Sequence, residues 1–445
     1  MNRFTKLLMA GVIALGLTAL CAASETAAAT EPADALESKI VRGPSLSDLV
    51  AYGYLHNPMV AAAREEWKGS VEQYRVDTAH ENPEIMVEGM YMDVPFTASA
   101  APDDWKVGIT QALPFPGRLG KAGEISEAGA GISRLKLDVA VRDVTAGLRE
   151  SYQELLYLGE ARRIAGLNRE LLDQLVKAGE TAFTSDKAAL VDVLKAQAQS
   201  GQLMYDALLL GELESTEKTR INSLLSRVPD APIGPLSDEP PRPVVYRVEE
   251  IYPLAEANYE EIRIAGANEK KASAMLDFTR YMNLPEFKVG LSYGFEDEVK
   301  QYGIEAGFML PLWPGKNAGR LGAARADLEK MRAMKLGQVN ETRVMVRDNW
   351  FRLQNSERLI KLYRDDLLPQ AAKAMETAEL RFRQGQGSFS DYVEVQSAFY
   401  NFQLALARAK ADYGKFLARL ETLAGTSLTN RGTSEPSGEA KEGAK

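Results

Sequence analysis

Two carboxylates are the natural place to ask what chemistry this chain can do. Asp391 and Glu394 lie three residues apart just after a glycine-rich reversal, Gly385–Gly387. On a helix that spacing points both side chains the same way, one turn apart. Facing a confined path, such a pair attracts cations; facing water, it simply suits the positive end of a helix dipole. Arg381 and Arg383 stand on the other side of the same reversal with the opposite charge. Met86, Met90 and Met92 alternate along one side of an extended segment with Glu88. Thioethers suit Cu(I), but Met is also a common flexible filler, and packing is the preferred reading. The two histidines, His56 and His80, lack the spacing of a metal site. No Gly-x-Ser-x-Gly phrase and no glycine-rich phosphate loop occurs. Catalysis needs convergent polar groups, so the sequence predicts no enzyme, no cofactor and no resident metal.

Composition narrows the classes further. The 445 residues carry 53 basic against 62 acidic side chains, a net charge of −9. That argues against a nucleic-acid partner, which needs a basic footprint. A mean hydropathy of −0.25 excludes a bundle of membrane-spanning helices but not a β-barrel, whose strands barely register in such an average. Residues 1–29 read as an export leader: Arg3 and Lys6, an apolar run Leu7–Leu20, then small residues with cleavage expected after Ala23 or Ala29. The run is shorter than the roughly 20 residues of a spanning helix. The single cysteine, Cys21, follows Leu20, where an acylated cysteine normally follows a small residue. If Cys21 leaves with the leader, disulfides and zinc–thiolate sites leave with it.

The elements that must position Asp391 and Glu394 come as two copies of one plan. A proline-rich stretch, residues 229–247, separates residues 30–228 from residues 248–425, and a Gly/Ser/Glu/Lys-rich tail, 426–445, is expected to be disordered. Each half opens on a helix with an Asn at its start, Asn57 or Asn258, and reaches Asn82-Pro83 or Leu284-Pro285. Two alternating segments follow: Ile85–Met92 and Lys106–Leu113, then Glu286–Phe295 and Tyr302–Leu310. Period two with one apolar face predicts strands, with Asp93–Asp104 and Glu296–Gln301 as polar loops.

Each strand pair ends in a matching phrase, Leu113-Pro114-Phe115-Pro116-Gly117-Arg118 or Leu310-Pro311-Leu312-Trp313-Pro314-Gly315-Lys316. Long helices come next. Leu119 to about Thr181 would span ~95 Å, turn at Gly179–Asp186 and return to Arg227; Asn317–Gln384 would do the same and turn at Gly385–Gly387. In the last helix Tyr392, Val395, Phe399 and Phe402 begin a heptad seam. Four strands cannot close a barrel, so they form either a soluble sheet packed on helices or a share of a barrel pooled by several chains.

This duplicated plan resembles the TolC-like outer-membrane factors over about Leu46 to Gly425. The most specific phrase is the run from Arg381 to Gln396, similar to the family's turn at the periplasmic tip, with a degenerate echo at Leu190–Gln197. The resemblance implies a mainly α fold with membrane β: a homotrimer with a twelve-stranded β-barrel, four strands per subunit, continued by an α-helical coiled-coil barrel. It implies the Gram-negative outer membrane, with the helices in the periplasm and the apolar strand faces toward lipid. The implied partners are a periplasmic adaptor and an inner-membrane pump. The implied function is the passive exit duct of a tripartite efflux system. Metal cations are among the expected substrates, because the Pro-Gly-Arg/Lys junctions look most like the heavy-metal branch. Drug efflux and type I protein secretion use the same architecture, and a periplasmic coiled-coil scaffold is the reading from another class. In a trimer Asp391 and Glu394 would form stacked acidic rings at a constriction, which Arg381 and Arg383 would hold closed across subunits.

Overall fold

The computed structural model describes residues 30–90, 104–185, 189–237, 242–296, 299–384 and 386–430. The leader with Cys21, Met92, most of the first strand loop, Asp186, Gly385 and the tail from residue 431 lie outside the described residues. In chain order the elements are α1 (Thr30–Arg42), α2 (Leu46–His56), α3 (Pro58–Asp77), β1 (Glu84–Met90), β2 (Asp104–Leu113), α4 (Arg118–Thr184) and α5 (Leu190–Leu224). The second half supplies α6 (Val248–Asn258), α7 (Glu260–Tyr281), β3 (Glu286–Glu296), β4 (Val299–Met309), α8 (Pro314–Lys361), α9 (Leu368–Arg383) and α10 (Phe389–Ala424). The chain is thus mainly helical with one small sheet, and two compact units cut across the repeats.

One unit holds residues 1–60, 141–255 and 344–445. Its core is a stack of apolar side chains from three long helices: Ile164, Leu172 and Leu175 of α4, Ala196 and Leu203 of α5, and Phe389, Tyr392 and Tyr400 of α10. Gly179, expected at a turn, lies inside α4. A Cβ there would come within 2.9 Å of the Phe389 ring, so this glycine is a packing notch and the helix runs on to Thr184. Antiparallel α4 and α10 are further tied by an ion-pair ladder: Arg149–Glu421 at 2.9 Å, Arg419–Glu150 at 2.7 Å, Arg408–Glu154 at 3.0 Å and Lys415–Glu154. Below it Gln396 donates to Asn168 (3.1 Å), which donates to Gln403 (3.0 Å). Buried polar contacts of this kind fix the register of a helix pair.

Pro314 to Arg383 is not one uniform helix. Leu362–Leu367 forms a π turn between α8 and α9. Pro369 explains it, because its ring presses on the carbonyl four residues back and it offers no N–H. A widened turn relieves both problems. The two expected N-terminal asparagines also differ. Asn57 accepts from the Met59 amide at 2.8 Å, starting α3, and donates to the Leu224 carbonyl at 2.8 Å. Asn258 instead ends α6, and Tyr259 stands before α7 without a side-chain cap.

The other unit holds residues 61–140 and 256–343. Its helix pairs are antiparallel in both repeats: Glu66 meets Lys136 at 2.7 Å between α3 and α4, and Glu269 meets Lys335 at 3.0 Å between α7 and α8. Its sheet has the order β1-β2-β3-β4, all antiparallel, so β2 and β3 join the two repeats and β1 and β4 are the edges. The segment Glu296–Gln301, expected as a loop, is mostly strand: β4 begins at Val299, opposite Glu296. Its polar residues belong to the solvent end of a hairpin rather than to a wide connection.

Candidate functional site

The sheet sorts its side chains completely. Across one face run Ile85, Ile109, Leu291 and Ile304, each opposite the next, and beside them Val87, Val107, Tyr293 and Tyr302. The other face carries Glu84, Met86 and Glu88, then Lys106, Thr110, Ser292 and Glu305 among glycines. Lys106 reaches over β3 to Glu305 at 2.9 Å. It can do so because β3 offers Gly290 and Gly294 there; a Cβ at Gly290 would sit 2.6 Å from Thr110.

The apolar face is uncovered, as much of the polar face is. Ile304 is 86 % exposed, Val87 72 % and Leu291 62 %. Aromatic residues flank its aliphatic middle. Trp105, Tyr293 and Tyr302 cluster at the hairpin end, with ring centres 5.6 and 5.1 Å apart, while Phe287 and Phe308 pair at the other end. Tyr293 lies six residues past Phe287, about 20 Å along a strand. The sequence reading missed these two belts. Their signal was present in the positions of the aromatics within each alternating run, but register was needed to align them across strands.

At the reversal between α9 and α10, the Arg381 carbonyl accepts the amides of Gln386 (2.9 Å) and Gly387 (3.1 Å). A Cβ on Gly387 would sit 2.9 Å from that of Arg381, so only glycine fits. Ser388 caps α10 by accepting from the Ser390 amide at 3.1 Å. Phe389, Tyr392, Val393 and Gln396 are buried, whereas Asp391 and Glu394 are exposed on the opposite side of α10. Arg383 is engaged on its own helix by Glu379 at 2.5 Å. Burial, then the charge and hydrogen bond of that same Glu379, push the Tyr392 hydroxyl upward. The structure thus brings Asp391 and Glu394 to one surface and leaves Arg381 and Arg383 on the facing helix. The corresponding start of α5 differs: Asp192 is 4.0 Å from Lys195, and Ala189 gives no side-chain cap.

The two strand-to-helix junctions also differ beneath their similar sequences. After Pro114 and Pro116, Gly117 takes φ +89°, and Arg118 begins α4 with its amide on the Phe115 carbonyl at 3.0 Å. After Pro311 the chain starts α8 at Pro314, so Gly315 and Lys316 are helical. Asn317 closes that junction by donating to the Pro311 carbonyl at 2.9 Å. Among the described residues no group of three or more His, Cys, Asp or Glu could hold a metal ion. His56 stacks on Tyr52, ring centres 4.0 Å apart.

Residues 251–426, which span the second repeat, match the family described as outer membrane efflux protein. No curated protein sequence matches the chain. Among solved structures, the outer membrane protein VceC from Vibrio cholerae superposes with a TM-score of 0.72 at 16 % identity, covering 86 % of this chain and 96 % of its own. CusC gives a TM-score of 0.75 at 13 % identity over 87 % and 94 %. The open-state MtrE outer membrane channel of Neisseria gonorrhoeae gives 0.67 at 16 % over 86 % and 89 %. The chain therefore shares the fold of these outer membrane proteins, and its residues 251–426 match the outer membrane efflux protein family.

Proposed function

We propose that this chain is the outer-membrane channel of a tripartite efflux system, through which substrates delivered by an inner-membrane pump and a periplasmic adaptor leave passively. The observation that carries this reading is the sheet: an uncovered aliphatic band between two aromatic belts, with both edges open. In water that face would need a cover. In lipid it is the exterior of a barrel, and aromatic belts mark the two interfaces. Lipid does not tolerate open edges, because unpaired backbone groups have no water to bond. Three copies pooling four strands each close a twelve-stranded barrel whose inner face is the Gly/Glu/Lys side. The family match and the channels of the same fold support this assignment.

Within that reading, residues 1–29 are the export leader and residues 229–247 link repeats at 30–228 and 248–425. Asp391 and Glu394 are the acidic pair of the conduction path. Their exposure on the side of α10 away from the subunit core supports this role, and repeated in a trimer they favour cations, metal ions included. Arg381 and Arg383 hold the closed state from the facing helix. Planar-bilayer conductance of the purified trimer tests the assignment. Asp391→Ala with Glu394→Ala is expected to relieve block by divalent cations, and Arg383→Glu to raise resting leak. Traces unchanged by all three substitutions remove these residues from the path.

A further inference from the structure

Inside one chain the seam between repeats is pinned by an ion pair. Arg118, at the start of α4 beyond β2, meets Glu286, at the start of β3, at 3.1 Å, with both side chains about three-quarters buried. The chain carries both partners a second time. Pro83-Glu84 opens β1 as Pro285-Glu286 opens β3, and Pro314-Gly315-Lys316 follows β4 as Pro116-Gly117-Arg118 follows β2. These second copies lie on the two open edges of the sheet. Glu84 and Lys316 are both exposed, and neither is among the ion pairs of the described residues.

We propose that a second copy of this chain supplies the missing partner. Its β1 lies antiparallel against β4, as β3 lies against β2, and Lys316 pairs with Glu84 of the next copy as Arg118 pairs with Glu286. This rests on the trimeric-channel reading and names the contact that sets its seam. The strand faces agree with it. Leu113 stands opposite Phe287 at the internal seam. Carried to the open edges, that register sets Leu310 opposite Ile85, apolar on apolar, and Met309 opposite Met86 on the polar side. Charge agrees as well, with a cation on one edge and an anion on the other. The second junction carries Lys where the first carries Arg. A flexible point charge there matches a contact that must form between subunits rather than within one fold.

Charge exchange in the full-length protein tests the pair, read as the fraction of outer-membrane extract that runs as trimer. Lys316→Glu and Glu84→Lys are each expected to lower that fraction about tenfold, because like charges then meet at all three seams. Both substitutions in one chain restore it to within about twofold if the two sites form a coupled pair. Co-expressing the two single variants recovers trimer in part, because the contact crosses copies and a mixed ring of three matches two of its three seams. Single variants that leave the trimer intact, or a double variant that fails to recover it, overturn the pair. If the unmodified chain is itself not a trimer, the channel reading falls first and takes the pair with it.

Discussion

The helical unit and the sheet use apolar residues in opposite ways. Around Leu172, Phe389 and Tyr392 the apolar side chains point inward and the charges, Asp391 and Glu394 among them, point out. In the sheet Leu291 and Ile304 point out, and Lys106 and Glu305 pair on the other face. The same 45 % of hydrophobic residues is therefore spent in two ways, on a closed core and on an uncovered face. The contrast teaches that burial within one subunit is not the measure of whether an apolar face is finished. The helical unit completes its core alone, whereas the sheet leaves an apolar face and two edges for others to complete; in the channel we propose, lipid meets the face and another copy each edge.

Substitution of Leu172, fully buried, is expected to show the largest difference. Leu172→Ala should cost about 2–5 kcal/mol, since it opens a cavity in a closed core. Leu291→Ala on the uncovered face should cost far less in the same thermal dissociation assay in detergent; equal losses would erase the contrast. Charge reverses the ranking. Leu291→Arg should cost roughly 2–4 kcal/mol per subunit by placing a cation against the bilayer and should deplete the protein from the outer membrane. Gly307→Lys, on the polar face with no neighbour near its Cβ, should insert normally.

Acid should act on the helical unit in particular. The Arg419 hydrogen bond holds the Glu150 carboxyl below its ordinary range, against burial. Burial works to raise Glu154, but Lys415 and Arg408 outweigh it and hold that group low too. A carboxylate depressed in the folded state stabilises above its unfolded value and loses that contribution as pH falls through the folded one. Thermal dissociation of the α4–α10 region should thus be flat above about pH 4.5 and fall below it; Glu150→Gln with Glu154→Gln should flatten the acid limb. A limb identical to that of the unmodified protein would assign acid sensitivity elsewhere. The smallest effect belongs to the caps: Ser388→Ala should cost about 1 kcal/mol, and Ala189→Ser at the matching site should recover part of that. Both are measurable as shifts in the dissociation midpoint.

The alternation of Phe287 to Phe295 was enough to read a two-faced strand from sequence, and the Pro-Gly phrases marked both junctions. What escaped depended on partners distant in the chain. Gly179 has the composition of a turn, yet its role is set by the Phe389 ring more than two hundred residues away. Glu296–Gln301 looks like a polar loop until Val299 finds Glu296 opposite. Gly117 and Gly315 sit in matching phrases, but only Gly117 adopts a left-handed conformation. The π turn before Pro369 marks a break that sequence shows only as a proline. The acidic pair was legible because three residues on a helix is a local relation. Which helix faces it is not local.

The most direct test of the central claim is the mass of the native particle in detergent extracts of isolated outer membranes. A trimer confined to that fraction is the expected result. A monomer released with the soluble periplasmic contents would contradict the account, because the aliphatic face and both sheet edges would then have to be satisfied within one chain.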